Sequence, residues 1–230
     1  HAISEFPAGP YEFKDVAVPT ISHNAYTVLT SQGELLIYYI GTPFASNITD
    51  CNVKKPMPPA NLTNIINVAH SESGNPSGPW TFHLDIFPKS NRNVEWAAST
   101  ASNPAVLVLD NGTSLMAFHG ESKSQDSQEE DEEGLHESKN GGEAPGMAIA
   151  DEWNGPFRLL NPDPIFSTPR SWVNSTTGKE ARDLAVFRGE DFFLWKGRRG
   201  FHMMWHVKQP FSTVADGPEG QSCSDFKPLL

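Results

Sequence analysis

The sequence predicts an all-β chain built from repeated four-stranded antiparallel units, and three observations carry that prediction. A strand, turn and Gly-Pro-aromatic module occurs three times. A strand, Gly-containing hairpin and second strand also occurs three times, with a polar pair near the start of its first strand. No amphipathic run at helical period is long enough to compete with these period-two segments.

Taken along the chain, the first module is Ala2-Ile3-Ser4-Glu5-Phe6-Pro7-Ala8-Gly9-Pro10-Tyr11. Next comes the strand His23-Asn24-Ala25-Tyr26-Thr27-Val28-Leu29, followed by Gly33 and the apolar strand Leu35 to Tyr39. Val68-Ala69-His70-Ser71-Glu72 and Ser77-Gly78-Pro79-Trp80-Thr81-Phe82 repeat the first module with two extra residues. Ser102-Asn103-Pro104-Ala105-Val106-Leu107-Val108, with Gly112 to Phe118 after it, repeats the hairpin. Ala148 to Phe157 aligns with Ala2 to Tyr11 without a gap, and Glu190-Asp191-Phe192-Phe193-Leu194-Trp195 with Gly200 to His206 closes the series. Units of this kind predict a β-propeller, in which each blade buries its faces against its neighbours. The Gly-Pro landmarks Pro10, Pro79 and Pro156 are 69 and 77 residues apart, so the 230 residues supply three to four blades. Because a repeated strand begins at Ala2, the expectation is one propeller domain over residues 1–230 that starts and stops partway through a blade, a fragment of a longer product.

The formal net charge is -11, from 17 Lys plus Arg and 28 Asp plus Glu. Of this, -7 lies between Glu121 and Glu143, a stretch with nine acids, two bases and no aromatic or β-branched residue. Such a segment buries too little apolar surface to offset its ordering entropy, so a disordered acidic insertion is expected over 121–144. A net negative chain argues against a nucleic-acid partner, since phosphate contacts need a basic surface. Its apolar runs are far shorter than the ~20 residues of a membrane-spanning helix.

Four sequons, at Asn47, Asn61, Asn111 and Asn174, fall in polar, turn-like sequence and point to a secreted glycoprotein. The two cysteines, Cys51 and Cys223, either pair with each other or with thiols outside this chain.

In a propeller the first strand of each blade lines the central channel. The pairs His23/Asn24, Ser102/Asn103 and Glu190/Asp191 occupy one place in three repeats and are expected to converge at one mouth. These pairs, the Glu190-Asp191-Phe192-Phe193-Leu194-Trp195 strand and the Gly-Pro-aromatic turns resemble the five-bladed propellers of glycoside hydrolase family 43 and its relatives in eukaryotic microbes. The resemblance implies inverting hydrolysis of arabinose- or xylose-containing polysaccharides of plant or algal type by three carboxylates: a base, a general acid, and an Asp that raises the acid's pKa. Matched position by position, Glu190 takes the place of the acid and Asn103 that of the tuning Asp, where an amide carries no charge. Asp191 is a partial substitute for that charge, although strand alternation is expected to point it away from Glu190. The substrate-binding set is expected to include His23, Asn24, Ser102, His202 and Trp195, with Tyr26 and Trp205 as further stacking candidates.

A second reading keeps carbohydrate as the ligand without turnover, and a third makes the propeller a platform for protein partners. Of the other motifs, His202 and His206 share one face of a strand without a third ligand at metal spacing. There is no Gly-X-Ser-X-Gly elbow, phosphate-binding loop or dinucleotide fingerprint in the sequence, so neither metal nor cofactor is expected.

Overall fold

The computed structural model describes residues 1–18, 22–41, 65–121, 143–165, 172–173, 180–181 and 188–208. A short ribbon pairs β1 (Ala2–Ile3) with β2 (Glu12–Phe13). The first complete blade is the antiparallel meander β3 (Ser22–Leu29), β4 (Leu35–Gly41), β5 (Ile66–Ser71) and β6 (Thr81–His83). Two 3-10 turns, Lys89–Arg92 and Glu95–Ala97, lead to a second blade. That blade consists of β7 (Thr100–Val108), β8 (Ser114–Glu121), β9 (Glu143–Ala150) and β10 (Arg158–Leu159). A small hairpin of β11 (Trp172–Val173) and β12 (Glu180–Ala181) precedes the paired strands β13 (Arg188–Gly197) and β14 (Gly200–Lys208). Two blades are therefore complete among the described residues, and the third hairpin module contributes an inner strand pair.

Period-two patterning decides how the blades pack. Leu36, Tyr38 and Ile40 on β4, with Ile66 and Val68 on β5, face one way and meet Val106, Met116, Phe118 and Ala148 of the second blade. The alternate residues Ile37, Tyr39 and Ala69 face the opposite way, against Ala17, Val18 and Trp80. Ala105 and Ala117 present the other face of the second blade to Phe192, Met203 and Trp205. Apolar side chains on both faces of a blade make each sheet a layer in a stack, the defining arrangement of a propeller.

The Gly-Pro modules occupy equivalent turns before β2, β6 and β10, and all three Gly-Pro peptides are cis with the glycine at positive φ. At Gly155 (φ +77) a Cβ atom would stand 2.6 Å from the Ile86 carbonyl oxygen, so only glycine lets this turn rest against the first blade. Phe157 N–H donates to that same carbonyl at 2.7 Å, tying the two blades together.

One boundary needs correction. Glu121 pairs with Glu143, and Gly120 with Ala144, at the ends of β8 and β9. The acidic insertion is therefore the connection of a β-hairpin with ends at 121 and 143, and residues 121, 143 and 144 belong to strands. Sheet pairing orders these end residues even though the intervening sequence is strongly charged. Residues 122–142, the sequons at Asn47, Asn61 and Asn174, and both Cys51 and Cys223 lie outside the described residues. No described helix is long and apolar enough to cross a membrane.

Candidate functional site

The three inner strands share one irregularity. Each pairs regularly with its partner from the hairpin turn up to Tyr26, Ala105 or Phe193. Beyond that point His23 pairs with Ile40, Ser102 with His119 and Glu190 with His206, leaving one extra residue on the inner strand in every case. This is a β-bulge repeated in three modules. Within it Asn24, Asn103 and Asp191 adopt φ of 52, 51 and 56, the left-handed region that Asn and Asp tolerate better than other side-chain-bearing residues.

The bulges aim these three side chains at one point. Asn24 Nδ2 and Asn103 Nδ2 both donate to Asp191 Oδ1, each at 3.3 Å. His23 Nδ1 extends the chain by donating to Asn24 Oδ1. Each strand also contributes the residue or residues after the bulge to an open cavity of about 180 Å³, lined by Asn24, Ala25, Tyr26, Asn103, Pro104, Asp191 and Phe192. Phe192 is buried against Ala105 and Ala117 as part of the floor. Burial raises the Tyr26 hydroxyl above the ordinary phenol range, opposed by its hydrogen bond with the Leu194 backbone, which fastens β3 to β13.

Glu190 and Asp191 lie on the same side, contrary to the expectation from strand alternation. The bulge breaks the period of two, so consecutive carboxylates no longer diverge. One donor atom each from Glu190, Asp191 and His206 falls within 4.8 Å of the others, a spacing that three metal ligands or three hydrogen-bond acceptors for one small ligand can share. His206 Nδ1 stands 3.7 Å from Glu190 Oε1.

Other residues picked out in the sequence take different positions. Trp195 and His202 are cross-strand partners near the β13–β14 turn, with rings stacked at 5.0 Å and 13°. Trp195 lies five positions along the strand from Glu190, at ~3.3 Å per position, so neither side chain reaches the mouth. His202 and His206 are consequently too far apart to share a metal. Ser102 is buried beside His119 and does not line the cavity. Trp205 packs into the cluster around Phe192. Asn111 is exposed in the β7–β8 turn, where its Oδ1 accepts from Thr113 N–H at 3.2 Å.

Repeated antiparallel blades around a polar mouth define an all-β propeller protein. No protein-family model and no curated protein sequence matches this chain. Among solved structures it is similar to an endo-arabinase from Bacteroides thetaiotaomicron at 13% identity and TM-score 0.50, over 89% of this chain and 59% of that one. An endo-1,4-beta-xylanase from the same organism matches at 17% identity and TM-score 0.47, over 90% and 56%. A thermostable family-43 glycoside hydrolase matches at 15% identity and TM-score 0.47, again over 90% and 56%. The likeness to the endo-arabinase is one of fold, and the chain spans a little over half the length of these structures.

Proposed function

We propose that the mouth formed by β3, β7 and β13 binds carbohydrate, engaging one sugar ring at a time. The observation that carries this reading is the convergence of Asn24, Asn103 and Asp191 above a floor of Ala25, Tyr26, Pro104 and Phe192. Amide and carboxylate groups held in fixed orientation suit hydroxyl groups, and the apolar floor suits the C–H face of a sugar. A cavity of about 180 Å³ is smaller than the ~300–1,000 Å³ of pockets for drug-sized ligands, which favours a single ring over a longer segment. Asp191 is the one acid among the described residues that line the cavity. Inversion needs a second carboxylate across the site, ~6.5–9.5 Å from the acid, with room for water between them. Binding is the primary reading because the convergence of Asn24, Asn103 and Asp191 supports it directly.

Hydrolysis is the second reading, favoured by Glu190, a half-buried acid beside Asp191 in the position the sequence resemblance gives to the proton donor. Isothermal titration with arabino- and xylo-oligosaccharides, together with sugar release from arabinan and xylan by wild type and Glu190→Gln, tests both. Binding without release supports the first reading, and release abolished by Glu190→Gln supports the second. Absence of both binding and release would overturn the carbohydrate reading in favour of a protein platform. Secretion belongs to the same proposal, supported by the exposed Asn111 sequon.

A further inference from the structure

The seam between the two complete blades carries a polar cluster that the site does not use. Its core is apolar, but at its rim Trp153, from the turn before β10, lies between two histidines of the first blade. Its ring centroid is 4.5 Å from that of His70 on β5 and 5.0 Å from that of His83 on β6, the latter edge-on at 89°. Tyr38, fully buried on β4, donates its hydroxyl to the Trp153 carbonyl at 2.8 Å and fixes the turn in place. His70 Nε2 lies 3.1 Å from Glu34 Oε1, and Thr30 Oγ1 holds the other carboxylate oxygen of Glu34 at 3.4 Å.

The two histidines differ in one respect. His70 has an acid beside it, and among the described residues His83 has none. Glu34 stands within ion-pair distance of His70, whereas a proton on His83 places a positive charge in a half-buried apolar seam beside His70. We propose that His70, His83, Glu34 and Trp153 form an acid-sensitive latch between the two blades, closed while His83 is neutral and loosened when it takes up a proton.

The charges around His83 are consistent with this role. Burial first, and the neighbouring His70 second, hold its imidazole below the ordinary range. The nearby turn acids Asp151 and Glu152 are exposed, and Asp85 bears on Arg92. Because the folded-state pKa is depressed, the latch contributes fully above the unfolded value of ~6.5 and is lost as the pH falls below it.

Thermal unfolding of the full chain between pH 8 and pH 5 tests the latch, using wild type, His83→Gln and Glu34→Gln. The wild type is expected to lose about 2–4 °C more than His83→Gln on acidification, the shift expected for about 1 kcal/mol in a chain of this size. Glu34→Gln, which removes the carboxylate 3.1 Å from His70 Nε2, is expected to melt below the wild type because it loses this contact at the seam. Parallel profiles for wild type and His83→Gln would overturn the proposal. Should His83→Gln fail to fold, the native His83 imidazole can be titrated by NMR. A midpoint below ~6.5 supports the latch, and a midpoint at or above it overturns the latch.

Discussion

Removing the carboxylate that both amides share tests the three-strand hub directly. Asp191 Oδ1 accepts from Asn24 and Asn103 at 3.3 Å each, longer than the usual 2.9–3.0 Å. A well-placed hydrogen bond to a charged group is worth ~1.5–3 kcal/mol, but Asp191 is exposed and water competes for it. An estimate of ~0.5–1 kcal/mol per bond, or ~1–2 for the pair, follows from that discount. The backbone adds a separate cost, because at φ 56 an alanine is disfavoured by ~1–2 kcal/mol while glycine is not. Asp191→Ala should therefore cost ~2–4 kcal/mol, Asp191→Gly ~1–2, and Asp191→Asn, which keeps a carbonyl acceptor and tolerance of this φ, ~0.5–1. Urea unfolding of the four proteins should rank wild type, Asn, Gly and Ala in falling stability. In titrations with the saccharides above, Asp191→Gly should also bind at least about tenfold more weakly, because a loss of ~1.4 kcal/mol in orienting the amides is a factor of ten. A glycine variant as stable as wild type would refute the hub, and one less stable than alanine would refute the left-handed bulge.

Two further outcomes follow from the packing. Gly155→Ala places a Cβ atom 2.6 Å from the Ile86 carbonyl oxygen and 2.9 Å from Phe157 N at φ +77. Conformational strain and overpacking together should cost ~2–5 kcal/mol, and an unchanged urea midpoint would contradict the blade contact at this turn. Tyr39 is fully buried, and burial pushes its hydroxyl up to about 12. A raised folded-state pKa means stability is full below pH ~10 and falls as the pH rises towards that value, so Tyr39→Phe should show a shallower alkaline loss than wild type in pH-dependent unfolding.

The blades were legible because the sequence states them three times. A Gly-Pro turn or a Gly-hairpin is weak evidence alone, but repetition at matched places restricts the chain to stacked four-stranded sheets, and the unbroken apolar run from Leu36 to Ile40 fits a strand that the structure buries on both faces. The edges of the acidic insertion were not legible in the sequence. Glu121 and Glu143 look like their charged neighbours, and only their position at the end of an established β8–β9 ladder makes them strand residues.

The site was harder to read because a single extra residue reorganises it. Counting outward from the β13–β14 turn in regular register puts Val207 opposite Glu190, with Asp191 on the far face. The bulge instead brings His206 opposite Glu190 and turns Asp191 inward. Sequence alternation could not supply this, because it assumes the unbroken ladder that the site requires to be broken. A usable signal was present nonetheless. Asn24, Asn103 and Asp191 are the same kind of residue at the same place in three repeats, and short polar side chains that tolerate positive φ are what a repeated bulge selects. Trp195 and His202 were drawn into the expected site by residue type alone, although their distance from the bulge along the strand separates them from it. In a propeller of this kind, position relative to the bulge is therefore a stronger guide to the mouth than aromatic or histidine content, because the bulge sets which side chains leave the sheet and meet at the axis.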